Sequence, residues 1–203
     1  MFYPWDMHLP MFPLPILPLP GEMVQLHVFE PRYQMLFDEL EGMDLEEFGI
    51  PFSKQNNLAG VGSVMRLVTV RAKQQDGSRD VVVTSTGLFQ LESFEEFPEV
   101  QPYPNGRCNP LEEWREWPLG EACERAKQAL FKVMKDQGIS TTKLENVGLV
   151  RFVQHLGIDA ARRAEILASK DIHTMQSMVL ERIELTRKLL VQNPTQNGGL
   201  FMN

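Results

Sequence analysis

The apolar positions in the first part of the chain recur with the periods of one strand and one helix. In residues 22–29 they alternate with polar positions, which predicts a strand with one buried face. Pro31 suits the first turn of a helix, and the apolar residues after it recur on one helical face. The positions that carry these two predictions are Val24, Leu26 and Val28 in the strand, and Tyr33, Leu36, Phe37 and Leu40 in the helix.

Residues 9–21 precede that strand and carry too many prolines for a central strand. Proline has no backbone N–H, so we expect an extended edge segment whose apolar side chains turn inward. The missing donors also predict a poorly protected sheet edge near residues 9–20.

Alternation continues through residues 60–73, with Val70 expected on the opposite side of the strand from Met65 and Leu67. Asp76-Gly77 then predicts a hairpin turn. Three shorter apolar segments predict further strands, at residues 48–52, 81–86 and 88–94. The first half therefore predicts a small, mostly antiparallel barrel or sandwich with one helix.

From residue 119 the apolar spacing becomes helical. Thr142-x-x-Glu145 predicts a capping box, while Asp159 and Asp171 predict the starts of two later helices. The first helix of this half is expected to bury a face made of Ala122, Ala126, Ala129, Leu130, Val133 and Met134. These patterns predict a β-rich subdomain at 1–117, a helical subdomain at 118–192 and a flexible tail at 193–203.

Charge and composition narrow the classes of partner. The 203 residues contain 20 Lys+Arg against 27 Asp+Glu, a net charge of -7. A field of that sign repels phosphate backbones, which argues against nucleic acid as a partner. No apolar run approaches the roughly 18 residues that a membrane span needs, and no basic, apolar leader begins the chain. We therefore expect a cytoplasmic protein that does not enter membranes.

Signatures of catalysis are missing. The sequence has no Gly-Lys dipeptide, which excludes a P-loop, and its two cysteines, Cys108 and Cys123, are far apart. His27 is the only one of the four histidines in a strong pattern, and no nucleophile or orienting carboxylate is indicated beside it. We expect no enzymatic activity, no cofactor and no metal.

Aromatic residues are concentrated in residues 92–118, where the two halves of the chain meet. They are interpreted either as a seal between two subdomains or as a shallow apolar site for another polypeptide. The candidate peptide-binding residues are Phe94, Phe97, Trp114 and Trp117.

Two segments carry a resemblance to a known family. The proline-punctuated run 13–21, followed by residues 25–33, resembles the start of the N-terminal substrate-binding domain of Lon proteases. The specific matches are His27, Phe29, Glu30, Arg32 and Tyr33. One departure is visible, because Ser85 and Leu88 stand where that family usually has a Gly and an Arg before the phenylalanine matched by Phe89.

The resemblance implies an α+β fold, with a PUA-like β-pseudobarrel followed by an all-α helical bundle. It implies a non-catalytic module that binds unfolded or misfolded polypeptide, working with a protease or chaperone, and a chain that ends before any ATPase or protease domain. It also implies that the five motif residues are structural. The alternative is a PUA-like module for a small ligand or RNA, which rests on fold alone.

Overall fold

A computed structural model describes residues 7–169 and 171–192, apart from the side chains of residues 114 and 115. The predicted tail at 193–203 lies outside this part of the chain. Two compact units are present, the N-terminal unit Met1–Glu112 and the helical unit Glu113–Asn203. The boundary that the sequence predicts between residues 117 and 118 stays a prediction.

The described residues form six strands and five α-helices, with short 3-10 turns at Glu112–Arg115 and Thr142–Leu144. The strands are β1 (Met7–Pro10), β2 (Met23–Val28), β3 (Phe48–Lys54), β4 (Asn57–Lys73), β5 (Arg79–Glu95) and β6 (Asn105–Pro110). The helices are α1 (Pro31–Gly42), α2 (Glu121–Asp136), α3 (Leu149–His155), α4 (Ala160–Ala168) and α5 (Ile172–Gln192).

All six strands belong to one antiparallel sheet, whose main path runs β1-β6-β5-β4-β3. The long strand β5 also pairs with β2, which lies off that path. The prediction of a mostly antiparallel first half with one helix is therefore confirmed.

The proline-rich segment after β1 is bonded on both sides. Met11 donates its N–H to the carbonyl of Pro104 at 2.7 Å, and Phe12 donates to Gly49 at 2.8 Å. Its apolar side chains are buried as expected, among them Met11, Phe12, Leu17 and Leu19, as is Leu9 in β1. The expectation of an unprotected edge here is wrong for residues 11–14. The residues between the prolines retain their donors, and proline carbonyls such as those of Pro104 and Pro51 accept hydrogen bonds.

Helix α1 supplies one wall of the core of the N-terminal unit. Its predicted apolar face is buried and packs in one cluster with the β5 residues Val81 and Val83. Burying apolar area at about 25 cal/mol per Å² is the main force that holds such a helix on a sheet.

Strand β4 departs from the predicted alternation. Register shifts occur between Val64 and Met65 and again between Leu67 and Thr69. The second shift adds Val68 to β4 and reverses the faces that follow it, whereas the first adds Thr86 to β5. Val70 therefore packs against the same core cluster as Met65 and Leu67, and the prediction that it lies opposite them is wrong.

The predicted strands 81–86 and 88–94 are one strand, β5, which passes through Gly87 without a break. Strand β6 was not predicted, because Asn105, Gly106 and Pro110 are residues typical of turns. The fold needs glycine at position 106, since an added Cβ would lie 2.7 Å from the carbonyl oxygen of Ser93.

In the helical unit, α2 buries a different face from the one expected. Ala126, Leu130 and Met134 are buried as predicted, but Ala122 and Ala129 are exposed. Lys127 and Phe131 take their place. The capping box at Thr142 is wrong, because Glu145 instead accepts a hydrogen bond from the Thr141 hydroxyl at 2.9 Å. Asp159 and Asp171 do cap α4 and α5 through backbone N–H groups, as predicted.

Candidate functional site

The family-motif residues lie at the end of β2 and the start of α1. His27 Nδ1 lies 2.7 Å from a carboxylate oxygen of Asp80, its cross-strand neighbour on β5. Both side chains are more than half exposed. The imidazole also stacks on the ring of Phe29, with 6.0 Å between ring centroids. The described contacts give His27 a carboxylate and an aromatic neighbour but no nucleophile.

Glu30, Arg32 and Tyr33 form a local cluster at the start of α1. Arg32 Nε donates to Glu30 at 3.2 Å, and its guanidinium lies 4.6 Å from the centroid of the Tyr33 ring. Tyr33 is buried, and its ring centroid lies 4.1 Å from that of Phe12, with the two rings tilted by 31°. Burial raises the pKa of the Tyr33 hydroxyl to about 12, against an opposing effect of Arg32. These contacts fix the chain at the junction of β2 and α1.

A buried guanidinium ties the other end of α1 to the β4–β5 hairpin. Arg79 is 1% exposed and forms ion pairs with Asp38 and Glu41, the former at 2.8 Å. Lys73 also reaches Asp38, at 3.1 Å. Burial opposes ionisation of Asp38, but hydrogen bonds from Arg79 and Lys73 outweigh it and hold the pKa of that carboxyl below its usual value. Every charge here has a partner, which is typical of a structural network.

The predicted aromatic site is divided between the two units, with Phe94 and Phe97 in the first and Trp114 and Trp117 in the second. Phe94 is half-buried against the core residues of β1, β4 and β6. Phe97 is 77% exposed. Trp117 is half-buried and its carbonyl accepts the N–H of Leu149, while the Trp114 side chain lies outside the described part. Their role in binding stays a prediction.

Strand β2 offers an edge that the sequence did not single out. Its one strand partner in the described sheet is β5. Ser85 donates its N–H to the carbonyl of Glu22. Because backbone groups alternate in direction along an antiparallel strand, the N–H and C=O groups of Met23, Gln25 and His27 point away from β5. The sequence did contain a sign of an unprotected edge, because residues 23–28 include neither proline nor lysine, the residues that commonly protect one.

The helical unit holds a cavity of about 570 Å³, lined by residues of α2 and of the segment 145–148. Lys127 lies in its wall, is 4% exposed, and pairs with Glu124 at 2.5 Å. Lys135 and Glu145 also line it. Two cations and two carboxylates balance, so the lining selects neither an anion nor a cation.

Among the residues that the structure describes, no group of three or more His, Cys, Asp or Glu side chains is placed to hold a metal ion. Cys108 and Cys123 are buried, and burial raises the pKa of the Cys123 thiol, with a smaller effect of Glu124 in the same direction. Within the same described residues, no helix combines the length and apolar character needed to cross a bilayer.

Comparison with known proteins gives one family. Residues 8–190 match the model described as the ATP-dependent protease La (LON) substrate-binding domain. A search of curated proteins found no match.

Two solved structures share the fold. A Lon N-terminal domain protein from Xanthomonas campestris superposes with a TM-score of 0.62 at 19% identity, covering 86% of this chain and 98% of the other. The N-terminal domain of a Mycobacterium avium complex Lon protease gives 0.62 at 12% identity, covering 88% and 98%. At these identities the likeness concerns the fold.

Proposed function

The chain belongs to the LON substrate-binding domain family, and from that premise we propose that it is a non-catalytic module that binds unfolded or misfolded polypeptide. The family match over residues 8–190 is the observation that carries the proposal. The 203 residues contain no Gly-Lys dipeptide for a P-loop, and the described contacts of His27 include no nucleophile.

We extend the proposal to the finer fold, a PUA-like pseudobarrel followed by a helical bundle. Residues just after β1 bridge to β3, at Met11–Gly49 and Leu14–Phe52, while β1 itself pairs with β6. Both ends of the strand path therefore meet the same N-terminal segment, as closure of a sheet requires. In the helical unit, α2 and α5 pack along each other and bury apolar residues of both.

The proposed partners are polypeptide clients together with a protease or chaperone, in the cytoplasm. The net charge of -7 favours these over nucleic acid. Affinity for one client segment is expected to be micromolar or weaker, because an extended segment loses conformational freedom on binding. Of the candidate aromatic side chains, Phe97 is 77% exposed and is the one most available for apolar contact.

A fluorescence titration tests this proposal. An unfolded, apolar-rich peptide is added to the protein while tryptophan emission is followed at low and high salt. We expect saturable binding that changes little with salt, since few charge pairs carry it, together with no turnover of ATP or casein. Turnover abolished by a single substitution would contradict the non-catalytic assignment. The absence of binding at high peptide concentration would contradict the module itself.

A further inference from the structure

We propose that β2 is the docking edge, and that an extended apolar segment of an unfolded polypeptide, flanked by basic rather than acidic residues, adds to the sheet beside it. This inference rests on the proposed function and specifies how the client is bound. Strand addition gives affinity through backbone hydrogen bonds, which suits a module whose clients share no sequence.

The register of β2 determines which groups are available. Val24, Leu26 and Val28 lie opposite Val83, Val81 and Arg79 and direct their backbone groups toward β5. The N–H and C=O groups of Met23, Gln25 and His27 therefore point outward at alternate positions. Within the described residues, no other strand pairs with β2. An extended backbone presents donors and acceptors at this same spacing, whereas a helix or a compact ligand does not.

The other outer strands of the sheet are already covered. Residues 11–14, which follow β1, bond to β3. Strand β1 itself is four residues long, pairs with β6 and lies against β3. Strand β2 also lacks the usual protection of an edge. Its pairing with β5 has no register shift, and residues 23–28 include no proline and no lysine.

Side chains on both faces of β2 suit an apolar client. Val24 and Leu26 are only partly buried and pack against the core cluster, so an added strand would cover them with its inward side chains. On the outer face, Met23 is 69% exposed and Phe29 is 63% exposed. A cross-strand apolar pair contributes roughly 0.2–1 kcal/mol.

Charge decides between a client and a second copy of the chain. Glu22 and Glu30 flank β2 at its two ends, and Arg32 offsets the charge of Glu30. Two copies, each with a net charge of -7, repel one another. A client segment with basic flanks avoids this repulsion, while its affinity comes mainly from backbone hydrogen bonds and apolar contacts.

The test uses a short synthetic peptide that alternates valine with threonine between lysine flanks, and NMR amide exchange of the full chain. Exchange at Met23, Gln25 and His27 is expected to slow about tenfold or more when the peptide saturates, because bonded amides exchange only on opening. The Gln25→Pro variant removes an outward N–H and is expected to weaken binding about tenfold, and clearly more than Gln25→Ala, which keeps that donor.

If Gln25→Pro fails to fold, the same peptide methylated on consecutive amide nitrogens replaces it, since neither of its edges can donate. If the methylated peptide binds as tightly as the unmethylated one, or folded Gln25→Pro binds as tightly as the wild type, β2 is not the docking edge. Either result would leave the proposed polypeptide binding unaffected. No binding by the wild type would overturn both. Protection of these three amides in the free protein that rises with protein concentration would identify a second copy as the occupant and overturn the client assignment.

Discussion

At the scale of single residues, charge and aromatic contacts hold α1 on the sheet from its two ends. Arg79 anchors the C-terminal half through Asp38 and Glu41, and Tyr33 anchors the start through Phe12. The apolar face of α1 was readable from its period, but the partners of Arg79 were not. They lie about 40 residues away along the chain, and no local pattern reports a contact at that distance.

Replacing Arg79 tests the first anchor. Arg79→Met leaves Asp38 and Glu41 without their buried partner, and we expect the free energy of unfolding to fall by about 1–3 kcal/mol, below the value for a fully buried pair because both carboxylates reach water. Lys73→Met is the matched control and should cost less than about 1 kcal/mol, since its ion pairs are exposed. Urea denaturation measures both. Equal losses in the two variants would contradict the anchor.

Three aspartates with lowered pKa values predict how stability responds to acid. The pKa of Asp38 is lowered in the folded protein, and those of Asp76 and Asp171 are lowered by hydrogen bonds from Ser78 and Thr174. Their contribution to stability is present above the unfolded value of 3.8 and is lost as pH falls through the lower folded values. The urea midpoint should therefore fall on acidification below about pH 4, and less steeply in Arg79→Met. A urea midpoint that rises on acidification would contradict this prediction.

Substitutions of Tyr33 and Arg32 test whether these two residues stabilise the fold or contact the bound peptide. Tyr33→Ala removes a buried ring and should cost about 3 kcal/mol or more, whereas Arg32→Ala breaks a partly exposed ion pair and should cost less than about 1 kcal/mol. Thermal or urea unfolding gives these values, with Tyr33→Phe as the control that keeps the ring. A Tyr33→Ala protein that unfolds like the wild type but no longer binds peptide would make Tyr33 a contact residue.

At the scale of elements, alternation located β2, β3 and the β4–β5 hairpin but did not follow the chain through irregularities. The extra residue Val68 in β4 places Val70 on the face of Leu67. Strand β6 has no apolar alternation of its own and is held by its two neighbours. In α2 the buried Lys127 rotates the packed face, because Glu124 neutralises a cation that the hydrophobic pattern would place in water.

Close packing between strands gives a prediction at this scale. A Cβ at Gly62 would lie 2.6 Å from the backbone oxygen of Ile50 and 2.3 Å from the ring of Phe89. Gly62→Ala should therefore destabilise the sheet by about 1–3 kcal/mol. Gly87→Ala on the neighbouring strand is the control, because its Cβ would meet only Val64, at 3.7 Å. Similar denaturation curves for the two variants would contradict this prediction, because they would show that β3 and β4 accommodate the added methyl group with no loss of stability.

At the scale of the whole molecule, the family motif in residues 25–33 identified the class of protein from sequence, and the match over 8–190 bears it out. The binding surface was not predictable in the same way. The sequence shows that a residue is apolar but not whether its side chain is buried or exposed. Whether a strand edge is unpaired depends on which strands become neighbours in the fold. The predicted aromatics and the β2 edge are therefore separate hypotheses about where a client is bound.

The central claim, that this chain recognises polypeptide because it is unfolded, is tested most directly by one paired titration. Labelled α-lactalbumin is offered in its native form and in its reduced, carboxamidomethylated and permanently unfolded form, and fluorescence anisotropy is followed against protein concentration. The account predicts saturable binding of the unfolded form at micromolar or weaker affinity, and at least about tenfold weaker binding of the native form. Equal binding of both forms, or binding of neither, would contradict it.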